Sequence, residues 1–179
     1  MLASSIILRT ASEADLPALG PLVERAIAQL LAPFLSPAQL GASFEIMGLD
    51  TQLIEDGTYF VAELDGALAG CGGWSRRATH FGGDRSPGRD ARALNPASEP
   101  AHIRAMYTHP AFARRGIGRA VLRHCEDEAR AAEFRSVQLV ATLAGAPLYA
   151  MCGYCAVRHF DEVTPRGIPV PLVEMHKRL

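Results

Sequence analysis

Nowhere in the chain do apolar residues run on for the roughly 18 positions a membrane-spanning helix needs. The opening MLASSIILRT lacks the basic start, apolar stretch and small-residue cleavage site of a signal peptide. The sequence therefore reads as soluble and cytoplasmic, with no membrane partner. Cysteine is scarce: Cys71, Cys125, Cys152 and Cys155 are too few and too scattered for the disulfide framework of a small secreted domain. CGYC places Cys152 and Cys155 at a redox or metal spacing, but it has no second ligand pair and falls at a helix end, and His159 nearby does not complete it. No metal is expected. An excess of either charge is missing too: 18 Lys and Arg stand against 19 Asp and Glu, a formal net charge of −1. That balance gives no general pull toward nucleic acid, so any electrostatic work falls to local clusters. There is no internal repeat.

What is present fits one globular domain over residues 1–179, long enough to bury a core. Ile6 to Arg9 is a strand candidate, and Ser12 with Asp15 forms a capping-box-like start. Leu16, Leu19, Val23, Ala26, Ile27, Leu30 and Leu31 then recur at helical spacing until Pro33. Ser36 and Pro37 open a second helix, with Leu40, Phe44 and Met47 as its expected buried stripe. Two N-terminal helices result. TYFVAELDGALAGCGGWS reads as an antiparallel hairpin turning at Asp65-Gly66. Residues 76–100 have no periodicity and are expected to form a mobile loop beside an acceptor site. HIRAMYT is a strand, a helix follows from about Gly116 to Glu133, and SVQLVAT is another strand, a unit that joins parallel strands if both lie in one sheet. On that helix Val121, Leu122, Cys125, Ala129 and Ala132 form the expected buried face, with Arg123–Asp127 and Glu126–Arg130 as exposed pairs. A short helix holding Pro147, Leu148 and Tyr149 ends at Gly153. Strands near Cys155 to Phe160 and Val170 to His176 close the chain around the Pro165-Arg166-Gly167 turn.

One stretch breaks a rule. HPAFARRGIGRAVL enters its helix with Arg114, Arg115 and Arg119, where the helix dipole is already positive, and no Ser, Thr, Asp or Asn caps it. A helix start with bare N–H groups is an anion site, and Gly116 and Gly118 remove the side chains that would block close approach. Arginines beside it add forked donors for phosphate oxygens. A bound polyphosphate turns the repulsion into attraction. Long exposed arginines that merely reach water are the plainer alternative. A P-loop is excluded by the missing Lys-Ser/Thr ending, and a dinucleotide fingerprint by Val121 at the third glycine position and no acid about twenty residues on.

The stretch from Ala113 to Gly118, the MYTHP before it and PLYAMCGY near residue 150 resemble the GCN5-related N-acetyltransferase (GNAT) family, whose loop reads Arg/Gln-x-x-Gly-x-Gly/Ala. Ala113 departs from the first position, which removes a side-chain contact and leaves the backbone amides. The resemblance spans nearly the whole chain. It implies an α/β fold: a mixed, mostly antiparallel central sheet with a splayed parallel strand pair, flanked by helices on both faces. It also implies acetyl-CoA as co-substrate, bound in that splay.

By motif match, Met106, Tyr107 and Thr108 contact the pantetheine arm, while Arg114, Arg115, Gly116, Ile117, Gly118, Arg119 and Ala120 cradle the pyrophosphate. Thr142 stands where the family often has a cofactor-binding Asn. Tyr149 matches the helix tyrosine that donates a proton to the leaving sulfur; a phenol with an ordinary pKa near 10 keeps that proton at neutral pH. A core residue with its hydroxyl at the surface is its alternative reading. The thioester carbonyl is expected to meet a strand N–H near Tyr107. Val137 occupies the place of the family's glutamate base, leaving Glu63, His102, His109 or water to take the amine proton. Strict alternation would put His102, Arg104, Met106 and Thr108 on one face and Ile103 with Tyr107 on the other. Arg104 either binds an acidic group of the acceptor or pairs with a neighbouring carboxylate. The implied acceptor is a small-molecule amine or a peptide N-terminus, and the resemblance leans toward a homodimer. A non-catalytic sensor that binds acyl-CoA without turnover is the competing reading.

Overall fold

A computed structural model describes residues 5–179. The first four residues of MLASSIILRT lie outside the described residues. Seven strands form one sheet in the order β1-β2-β3-β4-β5-β7-β6. These are β1 (Ile6–Thr10), β2 (Tyr59–Leu64), β3 (Ala67–Ser75), β4 (Ala101–Thr108), β5 (Ser136–Thr142), β6 (Cys155–Val163) and β7 (Pro169–Arg178). Every neighbouring pair is antiparallel except β4 with β5. The helices are α1 (Leu16–Leu30), α2 (Pro37–Ile46), α3 (Thr51–Glu55), α4 (Ile117–Ala131) and α5 (Ala146–Met151).

α4 crosses between the two parallel strands, as the right-handed β-α-β rule requires of a connection within one sheet. Its apolar face, with Ile117, Val121, Leu122, Cys125 and Ala129, closes a core over β2, β3 and β4. The opposite face of the sheet is covered by α1, through Leu19, Leu22, Val23 and Ile27, and by α2 over β7. Ser12 and Asp15 form the expected capping box, although the first turn after it is 3₁₀. Ser36 caps α2 by accepting from the Gln39 N–H, and Asp65-Gly66 joins β2 to β3.

Three expectations are corrected: the buried stripe of α2, the number of N-terminal helices and the exposed Glu126–Arg130 pair. α2 buries Ala42, Ser43 and Ile46, whereas Phe44 points outward and Leu40 and Met47 are only partly covered, because the helix meets the sheet one residue around from the apparent stripe. A third short helix, α3, follows it. On α4, Glu126 is not an exposed partner of Arg130: it is buried and accepts from Lys177 Nζ of β7 at 2.7 Å, while Arg130 turns to Asp127. Residues 76–100 have no helix or strand, yet they are braced. Arg77 forks onto Asp56 at 2.6 and 2.7 Å, Thr79 exchanges hydrogen bonds with Asp90, and Arg92 pairs with Glu99.

Candidate functional site

β4 and β5 pair at only two positions, Ala101 with Val137 and His102 with Gln138, and then part. The cause lies on the other side of β4. Cys71 faces Tyr107 and Gly73 faces Arg104, so Ala105 and Met106 together oppose the single residue Gly72. This is a β-bulge, which bends its strand and sharpens its twist. Ala105 takes the left-handed region, φ 50°, to make it. Gly72 stands opposite, and the Met106 side chain fills the space it leaves: a Cβ there would lie 2.2 Å from Met106 Sδ.

The bulge resets the alternation of β4. Ile103 and Met106 both pack toward α4, and Arg104 and Tyr107 both face the α1 side, so the grouping expected from strict period two holds only up to Arg104. His109 N–H donates to Ala69 C=O. By the pleat, Tyr107 turns its own backbone groups to β3 as well, leaving those of Met106 and Thr108 to face the gap beside β5. The strand N–H groups that look into the gap therefore belong to its neighbours, not to Tyr107.

Between the diverging strands lies a cleft of about 120 Å³, reaching from Arg104 and Met106 across Val140 and Thr142 to Tyr149. At its α4 end, Gly116 adopts φ 84° and Arg114 φ 66°, a left-handed pair of residues that aims successive N–H groups outward. The first turn of α4 carries no acidic residue and no side-chain cap. Among the described residues no protein acceptor meets the N–H groups of Gly116, Ile117, Gly118 or Arg119. Arg114, Arg115 and Arg119 are exposed around this mouth, with Arg115 resting over the Phe112 ring. Ile117 is different: its side chain is core, so only its backbone belongs to the site. Ala120 donates to Gly116 C=O and closes the first helical bond. Gly118 is pressed between α5 and the end of β4, where a Cβ would meet Leu148 Cδ2 at 2.9 Å and Thr108 Oγ1 at 3.7 Å.

Tyr149 is 8% exposed and lines the cleft, its ring edge-on to Tyr154. Burial pushes its phenol above the ordinary value, so it is protonated at neutral pH. No hydrogen bond among the described residues engages that hydroxyl. Thr142 uses its Oγ1 to accept from Gly145 N–H at 3.1 Å, which fixes the turn into α5 and leaves its O–H to donate. The Tyr107 hydroxyl is committed elsewhere, accepting from Gly48 N–H at 2.9 Å and facing its carbonyl at 3.2 Å. Tyr107 is thus a strut holding the end of α2 against β4.

None of the three candidate bases opens on the cleft. Glu63 is bound by Arg9 on the β1 edge of the sheet. His109 accepts from Ala111 N–H and caps a 3₁₀ turn. His102 has both nitrogens engaged: Nδ1 donates to Thr79 C=O at 2.9 Å, so Nε2 accepts from the Gln138 amide at 2.6 Å. Burial brings His102 down to about 4, a neutral ring at physiological pH.

Of the two readings of Arg104, pairing with a neighbouring carboxylate is the one the structure supports; its partner Asp50, at the floor of the cleft, was not legible in the sequence. Arg104 is almost fully buried against Asp50, with Nη2 2.5 Å from Asp50 Oδ2, an ion contact whose angles do not make a hydrogen bond. Arg89 reaches Asp50 Oδ1 at 2.8 Å, and Arg104 Nη2 also donates to Gly82 C=O. Burial pulls the Arg104 guanidinium below its ordinary value while Asp50 pushes it back. Asp50 stands at the start of α3, where an aspartate reads as a cap, but it makes no cap hydrogen bond. Its carboxylate is turned inward instead. Phe81 and Gly82, from the 76–100 segment, complete the wall.

The sequence pattern of the Acetyltransferase (GNAT) family matches residues 25–154. Among solved structures, a GCN5-related N-acetyltransferase from Rhodopseudomonas palustris is 21% identical and covers 100% of this chain and 99% of its own, with a TM-score of 0.74. A ribosomal-protein-alanine N-acetyltransferase from Brucella melitensis is 22% identical over 97% of this chain and 99% of its own, TM-score 0.66. A PaiA N-acetyltransferase from Thermoplasma acidophilum, solved in complex with coenzyme A, is 15% identical over 98% of this chain and 99% of its own, TM-score 0.62. No curated protein matches the chain in sequence. At these identities the structures speak for the fold, and the matched span, with the mostly antiparallel sheet, its one parated parallel pair and the bare mouth of α4, places the chain in the acetyltransferase (GNAT) family.

Proposed function

We propose that the protein is an acetyl-CoA-dependent N-acetyltransferase that moves an acetyl group to a primary amine of a small molecule or peptide N-terminus by direct attack on the thioester. The observation that carries this reading is the meeting of a helix mouth with unpartnered N–H groups and a strand gap that ends at a protonated, uncommitted tyrosine. The mouth fits a diphosphate: the left-handed Gly116, the bare amides from Gly116 through Arg119, and three exposed arginines supply donors without a blocking side chain, while the Ala120 N–H is already spent on Gly116 C=O. Met106 and Thr108 offer backbone groups to an extended arm, and the Thr142 hydroxyl adds a donor on the facing strand.

Acetyl-CoA, when bound, supplies the activated acyl carbon. In the transfer a nitrogen–carbon bond forms and the carbon–sulfur bond breaks. The strand N–H of Met106 or Thr108 steadies the carbonyl oxygen as it gains charge. Tyr149 gives its proton to the departing thiolate and regains one from solvent. With Glu63, His102 and His109 all engaged, the amine proton leaves to water in the open cleft. The absence of a free base lining the cleft among the described residues favours a second reading, a module that binds acyl-CoA without turnover.

Turnover separates the two. Across a broad amine panel the protein should form acetylated product and free thiol in equal amounts. Tyr149→Phe should lower the rate about a hundredfold or more, the span of a general acid, with cofactor affinity unchanged within about twofold because the phenol oxygen holds no part of the diphosphate. Binding without transfer or hydrolysis would favour the sensor, and an unchanged rate in the phenylalanine variant would remove Tyr149 from the chemistry.

A further inference from the structure

β6 ends the sheet: it pairs with β7 on one side, and no strand among the described residues flanks the other. At nine residues it presents a row of free N–H and C=O groups, and a long open edge is a template for one more strand. Edges are commonly blunted with proline or lysine, and CAVRHFDEV has neither. Its one bulge, at Val157, falls ahead of Arg158. Val157 is 60% and Val163 64% exposed, more than any other large hydrophobic side chain among the described residues except Met151. Arg158 reaches Glu174 of β7 at 3.2 Å, whereas the side chains of His159, Asp161 and Glu162 meet no partner among the described residues.

The order of these residues selects the partner. From Val157 to Val163 the strand reads Val-Arg-His-Phe-Asp-Glu-Val, which, followed from both ends toward Phe160, sets valine with valine, arginine with glutamate and histidine with aspartate. We propose that β6 pairs antiparallel with β6 of a second copy of this chain, about a two-fold axis at Phe160, so that one sheet runs through a homodimer. Arg158 then faces Glu162 of the second copy, His159 faces its Asp161 and the two Phe160 rings meet; opposite charges and aromatic pairs placed across two strands stabilise them, and like charges do the reverse. Residues opposite each other in an antiparallel pair must turn their backbone groups the same way, so the axis can only step from one residue to the next. At Asp161 it would set that carboxylate against its own copy, and at His159 it would set Arg158 against Phe160 and Val157 against Asp161. Only Phe160 matches every charge. The Phe160 pair also extends an apolar cluster already present, since Phe160 lies opposite Leu172 of β7 and packs with it beneath α2. Such an axis stands perpendicular to the sheet, so α1 and α2 of both copies lie on one side and α4 of both on the other.

Sedimentation equilibrium of the purified chain decides it, independently of any acetyl transfer. One strand against one strand is a small interface, so the dimer should dissociate in the micromolar range, about 1–100 µM. Glu162→Arg sets arginine against arginine at two places across the axis, and Arg158→Glu sets glutamate against glutamate at two; each alone should weaken the dimer about tenfold or more. Mixed one to one, the two variants restore both opposite-charge pairs and should associate within about threefold of the unaltered affinity. Arg158→Glu also loses its tie to Glu174, so circular dichroism and the urea midpoint monitor each fold. If that variant fails to fold, His159→Glu and Asp161→Arg repeat the exchange at two exposed side chains. A chain that stays monomeric to about 500 µM, well above that range, overturns the proposal. So does a dimer that neither variant weakens, which would use another surface, and so do two weakened variants that fail to associate when mixed.

Discussion

The two ends of the cleft are built in opposite ways. At the α4 mouth the donors are consecutive backbone N–H groups from Gly116 to Arg119, present whatever the side chains are, and the flanking arginines are exposed. At the cleft floor, Asp50, Gly82, Arg89 and Arg104 come from α3's start, the 76–100 segment and β4, and the charges of Asp50 and Arg104 are held in near-complete burial. The first site depends on local backbone geometry and little on global packing. The second exists only once three remote segments have converged, and it binds the stability of the fold to the identity of its charges.

The contrast is broken most forcefully at Asp50. Asp50→Asn leaves the Arg104 guanidinium buried without its counter-charge, and removing one partner of a buried pair costs about 3–5 kcal/mol. Arg89 is 24% exposed at its side chain and can turn to water; Arg104, at 1%, cannot. Urea unfolding should show the loss as a lowered midpoint with an unchanged slope. Affinity for acetyl-CoA, measured on the remaining folded protein, should hold within about twofold, because the α4 mouth shares no contact with this cluster. A loss below about 1 kcal/mol would mean that water reaches the floor, contradicting the near-complete burial of the pair.

Gly118→Glu is the converse. A carboxylate on the first turn of α4 places negative charge where diphosphate binds, and affinity for acetyl-CoA should drop about a hundredfold or more, the worth of one or two charge-assisted contacts reversed in sign. The fold should hold. The new Cβ meets the far end of a flexible leucine, Leu148 Cδ2, and a glutamate is favourable at a helix start. Retained affinity would place the diphosphate elsewhere.

The same division explains what could be read from the chain. The hairpin at Asp65-Gly66, the cap at Ser36 and the mouth of α4 are short-range signals, each written in adjacent residues, and all three appear where the spacing put them. Thr142 and Tyr149 also reach the cleft, carried there by elements of the right type and order. The face assignment of β4 failed because the bulge at Ala105 has no glycine to announce it; the glycine opposite, Gly72, lies on the neighbouring strand. Glu126 looked like a surface partner of Arg130 because helical spacing takes no account of Lys177 reaching across from β7. Asp50 was hidden for the same reason, since a helix-start aspartate carries no mark of the arginine it will meet 54 positions further along the chain.

Acid offers the mildest way to set one end of the cleft against the other. The 76–100 segment is tied at both ends by carboxylates: Asp56, lowered from its ordinary value chiefly by the Arg77 fork, and Glu99, brought to about 2 by Arg92 and then the Asn95 N–H. A carboxyl whose folded value is depressed contributes stability that is present above its unfolded value and lost as pH falls through the folded one. These ties should therefore weaken from the ordinary carboxylate range near pH 4 down to about 2, and not above it. The mouth of α4 has no acidic residue in its first turn and nothing there to titrate in that window. Amide hydrogen exchange read by mass spectrometry between pH 5 and 2.5, corrected for the intrinsic rate, should show 76–100 losing protection before 117–131. Each tie is partly or fully exposed, so the difference should be modest and shrink in salt. Simultaneous loss in both segments would mean that this wall of the cleft is held by the fold as a whole, and that the carboxylates of Asp56 and Glu99 are incidental to it.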